Sequence, residues 1–148
     1  MKISTKGRYA LAAAAHMAQH YSSGEYVPVL SISNRLGISK IYLEQVFSLL
    51  KISGLVTSIK GAQGGYQLSR LPEQITALDV LSAVESPLFE QAHDTVSQKA
   101  EEIETALREL VFDALDNAVT HALEKVTLSD IVVEVQRHKQ NHAMMFYI

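Results

Sequence analysis

The stretch from Ser31 to Leu68 limits the possible folds more than any other part of the chain. Ser31-Ile32-Ser33-Asn34-Arg35-Leu36 reads as a short amphipathic helix. Gly37 follows, and glycine takes positive φ at little cost, which suits a turn out of a helix. Ser39 is a good N-cap for a second helix from Lys40 to about Ile52. On that helix Leu43, Val46, Phe47 and Leu50 stand at i, i+3, i+4 and i+7, which makes one apolar face. The other face carries Lys40, Tyr42, Glu44, Gln45 and Lys51. Ser53-Gly54 closes the helix. Leu55 to Ile59 then reads as a strand, Gly61-Ala62-Gln63-Gly64-Gly65 as a tight turn, and Tyr66-Gln67-Leu68 as a returning strand. The order predicts a helix-turn-helix followed by a wing, with Lys60 at its tip and Arg70 at its exit. A glycine-turned helix pair also occurs in helical bundles, so the hairpin adds what the pair alone lacks.

Helices are predicted on both sides of this unit. Residues 5–21 place Leu11, Ala14, Ala15 and Ala18 at helical spacing behind a Ser4 or Thr5 cap, and the run Ala12 to Ala15 suggests close approach by another element. Tyr26 to Val29 is short and extended. Thr76 can cap the amide of Asp79, with Ile75 and Val80 in the staple positions, and that helix ends near Glu85-Ser86-Pro87. Asp is shorter than the Glu or Gln that usually closes a capping box, which leaves the reciprocal bond open. Thr127, Asp130, Val126 and Ile131 repeat the arrangement. Between the two lies one long periodic stretch, from Ser97 to about Lys125. Ile103, Leu107, Leu110, Ala114, Ala118 and Ala122 form one stripe, and Phe112, Leu115, Val119 and Leu123 a second. Two stripes need two neighbours, the chain's own body and a second subunit. The residues after Arg137 read as a polar, mobile tether that ends in Met144-Met145-Phe146-Tyr147-Ile148.

Charge divides the chain. Residues 1–70 hold eight basic and two acidic side chains, whereas residues 71–148 hold five basic and fourteen acidic ones. A basic half joined to an acidic half suits a nucleic-acid reader with a separate assembly region, and solvated faces are the bland alternative. There is no cysteine among the 148 residues, which excludes disulfides, thiol nucleophiles and cysteine-held metal. No apolar run reaches the roughly 18 residues of a membrane span. The expectation is one soluble, cytoplasmic protein.

Binding residues are easier to nominate than catalytic ones. Lys2, Lys6 and Arg8 lie at or before a helix N-terminus, where backbone N–H groups also favour phosphate. Ser39, Lys40, Tyr42, Glu44, Gln45 and Lys51 fall on the second helix: Gln pairs with an adenine edge, and Lys or Tyr reaches phosphate or base. Lys60, Gly64 and Gly65 belong to the wing, whose glycines allow close backbone approach to a sugar-phosphate chain. The six histidines form no HxH or HExxH set, and no Ser-His-Asp arrangement or carboxylate pair marks a catalytic centre. Glu101, Glu102 and Glu104 sit in a first helical turn, where acids are electrostatically favoured. No enzyme and no cofactor are expected.

"MKISTKGRYAL", "SKIYLEQVFSLLKISGLVTSIKGAQGGYQLSR" and "ITALDVLSAVESP" together resemble the IscR/NsrR/CymR family of bacterial winged-helix transcription regulators over most of residues 1–87. The ending "MFYI" is similar to the cluster-free cysteine-metabolism repressor (CymR) branch. The resemblance implies a mostly α fold with a small β wing: a winged-helix DNA-binding domain (1–87), a long-helix dimerisation region (88–137) and a C-terminal tail (138–148). It implies a homodimer on a pseudo-palindromic site in double-stranded DNA, acting as a repressor or an activator, with a repressor as the expectation; the two apolar stripes of the long stretch put Ile103, Leu107, Leu110, Leu115 and Val119 in the dimer seam. It also places Glu44 toward the groove, where a carboxylate accepts from cytosine. Many family members hold an iron–sulfur cluster on three cysteines near residues 88–100. Here that segment offers Phe89, Glu90, His93 and Asp94 instead. Lys60 stands where the family often has Arg. The branch further implies cysteine synthase as a partner, with Phe146, Tyr147 and Ile148 as the docking tail, and packing of that tail on its own dimer is the alternative. The competing class is a winged-helix interaction module, or a sensor of another ligand, that reads no specific operator.

Overall fold

The computed structural model describes residues 3–61, 64–85, 90, 94, 96 and 98–146. The expectations that fall on Lys2, Ala62, Gln63, Phe89, His93, Tyr147 and Ile148 lie outside these residues. Helix α1 spans Thr5–Gln19, α2 Val29–Leu36 and α3 Lys40–Ile52. Strands β1 (Val56–Ile59) and β2 (Gly65–Leu68) pair antiparallel, with Val56 opposite Leu68 and Ile59 opposite Gly65. Helix α4 spans Ala77–Val84. A long helix follows, made of α5 (Glu101–Leu107), a π-helical turn (Arg108–Phe112) and α6 (Asp113–Glu124). Helix α7 spans Leu128–Phe146.

The alanine run explains where the core sits. Ala10, Ala13, Ala14, Met17 and Ala18 of α1 are buried, so short side chains let α3, α4 and α7 approach the α1 backbone. Around them, Ile32, Leu43, Val46, Phe47, Leu50, Ile75, Val80 and Leu128 are nearly fully enclosed. Burying one such side chain stabilises the fold by about 1.5–3 kcal/mol. The α3 face read from the sequence is the buried one, and its bounds match the expected helix.

Local chemistry sets the boundaries. The Ser4 hydroxyl accepts from the Gly7 N–H and caps α1. Gly37 has φ +68° and its N–H donates to Ser33, which turns the chain from α2 into α3. Ser39 caps α3 by accepting from the Tyr42 N–H at 3.3 Å. Helix α2 starts two residues before the expected position, because Pro28 is the N-cap and its fixed φ suits a helix entry.

Both threonine boxes close. Thr76 accepts from the Asp79 N–H at 3.1 Å while Asp79 accepts from the Thr76 N–H at 2.9 Å, so the shorter Asp does reach. Thr127 and Asp130 do the same at 3.0 Å in each direction. The two caps lie side by side: the Ala77 N–H donates to Val126 at 2.8 Å and the Leu128 N–H to Ile75 at 2.9 Å. That clasp brings Leu128 into the core beside Ile75.

Two expectations change. The long helix starts at Glu101 rather than Ser97, and its π turn adds a residue that breaks the single 3.6-residue stripe. The chain after Arg137 is not a tether, because α7 continues through it to Phe146. Gln, Lys, Arg and Met are good helix formers, and there is no Pro or Gly after Arg137 to stop them.

Candidate nucleic-acid interface

The wing is locked to α3 by an aromatic contact and to the extended segment before α2 by backbone hydrogen bonds. The Phe47 and Tyr66 rings stack with centroids 4.6 Å apart, and Tyr66 also exchanges backbone hydrogen bonds of 2.8 and 2.9 Å with Val27. A Cβ on Gly65 would lie 2.4 Å from the Val27 carbonyl oxygen, and one on Gly64 would lie 2.7 Å from that of Ile59. Both glycines are therefore required for the hairpin to close, whatever they do for a ligand. Lys60 is exposed at the wing tip.

Helix α3 presents Lys40, Glu44, Gln45 and Lys51 to solvent. Lys40 and Glu44 form an i,i+4 pair at 3.7 Å, which tempers the Glu44 charge next to an approaching phosphate. Exposed pairs of this kind contribute little to stability, roughly 0.3–0.5 kcal/mol. Tyr42 corrects the sequence-derived polar face: it is half-buried, with its ring edge-on to Tyr9 at 5.1 Å. The outward centre of α3 is instead Ile41, Gln45, Ser48 and Ile52, spaced by three and four residues opposite the buried stripe. Ile41 is 71% exposed. Sequence reasoning passed over Ile41 and Ser48 because it sorted residues by polarity. Their angular position opposite the centre of the Leu43–Leu50 stripe was the available signal.

Of the basic residues before and on α1, Arg8 is exposed and Lys6 half-buried. Arg70 is engaged by its own chain at the surface: its guanidinium donates to the Gln74 carbonyl at 3.1 Å and to Asp79 at 3.3 Å. The N-terminus of α1 is fixed by Glu85, whose buried carboxylate accepts from the Ser4 N–H at 2.8 Å and from the Ser4 hydroxyl.

The long helix shows which stripe its own chain covers. It packs on α4, and Phe112, Val119 and Leu123 are half-buried. Ile103, Leu107, Leu110, Val111 and Leu115 are exposed, with Leu110 at 78%. Leu115 thus leaves the stripe it shared in the sequence with Val119. Val111, which no stripe contained, joins the open face. Buried Glu104 accepts from the Val96 N–H at 3.1 Å, and Arg108 pairs with Asp94, which holds that short segment against α5.

A family model described as "Rrf2: Iron-dependent Transcriptional regulator" matches residues 3–134. The chain is 38% identical over 148 residues to the HTH-type transcriptional regulator CymR of Bacillus subtilis (strain 168), which covers all of both chains. The solved structure of CymR, titled the global cysteine regulator of B. subtilis, superposes with a TM-score of 0.74 at 34% identity, covering 90% of this chain and 98% of that one. T. potens IscR superposes with a TM-score of 0.70 at 32% identity, covering 91% and 88%. The iron in the family description does not fit the residues present. No cysteine exists to hold a cluster, and among the described residues no three His, Asp or Glu stand where they could hold a metal ion.

Proposed function

This chain belongs to the Rrf2 family of transcriptional regulators, and from that premise we propose that it is a homodimeric, cluster-free repressor of cysteine and sulfur metabolism. The observation that carries the proposal is the full-length likeness to a cysteine regulator combined with the absence of any thiolate. Residues 1–87 act as the DNA-binding unit. Helix α3 enters the major groove with Gln45 on an adenine edge, Glu44 on a cytosine amino group and Ile41 beside a thymine methyl. Lys6, Arg8, Lys40 and Lys51 take phosphates, as does Lys2, and Lys60 follows the wing to the backbone or minor groove. Ser39 and Tyr42 position this helix rather than read bases. Ile103, Leu107, Leu110 and Leu115 form the dimer seam, which supports two-fold reading of a pseudo-palindromic site.

The finer partner is cysteine synthase, docked on the end of α7. Met144, Met145 and Phe146 are exposed there, at 66%, 76% and 77%. An apolar helix end of this kind suits capture in a pocket. Helix α7 runs through Phe146, so docking of Met144, Met145 and Phe146 in a pocket requires its last turn to open. Deleting Tyr147 and Ile148 is expected to leave operator binding intact and abolish capture by the enzyme.

Genome-wide recovery of bound DNA tests the main reading. The expected result is enrichment of paired half-sites upstream of genes for sulfur supply. Enrichment without a shared half-site, or no enrichment, overturns it in favour of the interaction module.

A further inference from the structure

A cavity of about 450 Å³ opens between the C-terminal end of α1, the loop after it and α2, away from the proposed base-reading residues. Its walls include His16, His20, Glu25, Tyr26, Ser31 and Arg35. This volume lies within the roughly 300–1,000 Å³ of small-molecule sites. His16 is only 8% exposed, and among the described residues its imidazole forms no hydrogen bond. Its neighbour is the His20 ring, 4.5 Å away between centroids and tilted by 57°. Among the described residues every sealed side-chain nitrogen or oxygen has a partner, so the unbonded ring nitrogens of His16 are not sealed. They open onto the cavity that the ring lines. Burial, then the charges of His20 and Arg35, lower its pKa, so near pH 7 it offers one donor and one acceptor.

The charges are arranged in two poles. Arg35 and Glu25 line the same cavity, yet among the described residues neither forms an ion pair, with the other or elsewhere. A guanidinium fork matches a carboxylate in two bonds, whereas an isolated carboxylate suits an ammonium. Opposite poles held apart on one cavity are complementary to a ligand that carries both charges itself. We propose that this cavity binds a small zwitterion of the amino-acid class, its carboxylate on Arg35, its ammonium toward Glu25, and its polar edge against His16. The site is a ligand position separate from the proposed operator-reading surface. Because α2 packs on α3, occupancy would act on the helix-turn-helix directly.

Histidine ring signals in NMR test this on the full chain without any DNA, so the outcome is independent of the repressor reading. Glycine and then L-alanine are titrated, with acetate and inorganic phosphate as half-matched probes. The expected result is a saturable shift of His16 and His20 with unmoved His121 and His142. Arg35→Gln and Glu25→Gln are each expected to weaken glycine binding by about tenfold, the loss of one charge-assisted bond. Both residues are exposed, and unchanged melting curves would show that the variants fold. No saturable shift with either amino acid overturns the proposal. So does acetate or phosphate binding as tightly as glycine, which would mean a plain anion site, or glycine binding in both variants as tight as in the unsubstituted chain.

Discussion

Gly7 shows how one missing carbon fixes a helix end. A Cβ there would lie 2.2 Å from Glu85 Oε1 and 2.8 Å from Ile3 Cγ2. The Glu85 carboxylate needs that space to reach Ser4 and the start of α1. Gly7→Ala is expected to cost about 1–3 kcal/mol, the range for overpacking, as a lower denaturant midpoint with unchanged slope. An unchanged midpoint would mean that the contact relaxes freely. His16 gives a pH signature at the same scale. Its folded pKa lies below its ordinary value of 6.5, with burial as the main cause. The unfolded chain therefore binds its proton first, so stability is full above 6.5 and falls as pH drops toward the lowered folded pKa. His16→Gln should flatten the stability–pH curve in that window, and an equally steep curve in the variant would assign the slope to other groups.

At the scale of elements, paired caps and the long helix matter most. Thr76 and Thr127 each close a capping box, and their backbones clasp each other. Each Thr→Ala change is expected to cost about 1 kcal/mol. The double variant should depart from additivity, because the two helix starts share the clasp. Thermal denaturation of the four proteins measures this, and strict additivity would show that the caps act independently. The long helix exposes Ile103, Leu107, Leu110, Val111 and Leu115 while Val119 lies half-covered by its own chain. Leu110→Glu with Leu115→Glu is therefore the sharper test of dimerisation, since both side chains are exposed in the single chain. Sedimentation should show monomers of native helix content. An undisturbed dimer would place the seam elsewhere.

For the whole molecule, the expected behaviour follows from the charge division between residues 1–70 and 71–148. Operator affinity should fall steeply with salt as counterions are released, and the acidic half should stay clear of the duplex. Lys60→Ala should lower affinity across sequences and reduce the salt slope by about one per subunit contact. Gln45→Ala should instead relax preference at one position by about 1–3 kcal/mol if its contact is bidentate. Fluorescence anisotropy on matched and mismatched duplexes separates the two. Equal effects on both duplexes in the Gln45 variant would show that Gln45 reads no base.

The first four helices, the threonine caps, the glycine turn and the hairpin were legible in the sequence, because each depends on neighbours within a few residues, whereas the run of α7 past Arg137 was not. Ser39, Gly37 and the Leu43–Leu50 stripe act locally, and their places in the fold follow from spacing alone. Other features depended on distant contacts. Tyr42 turns inward because Tyr9, from another helix, offers it a ring. Arg70 folds back onto its own chain, still part-exposed, because Asp79 and Gln74 come within reach. Leu115 parts from Val119, one turn further along the same helix, because the packing of α6 on α4 does not cover the whole stripe. The cavity beside His16 joins two helices and a loop, and its opposed charges come to line one cavity only after α1 and α2 have packed. Periodicity encodes which residues share a face of one element. Which face is covered, and which polar groups face each other across elements, is decided by the packing of the whole chain.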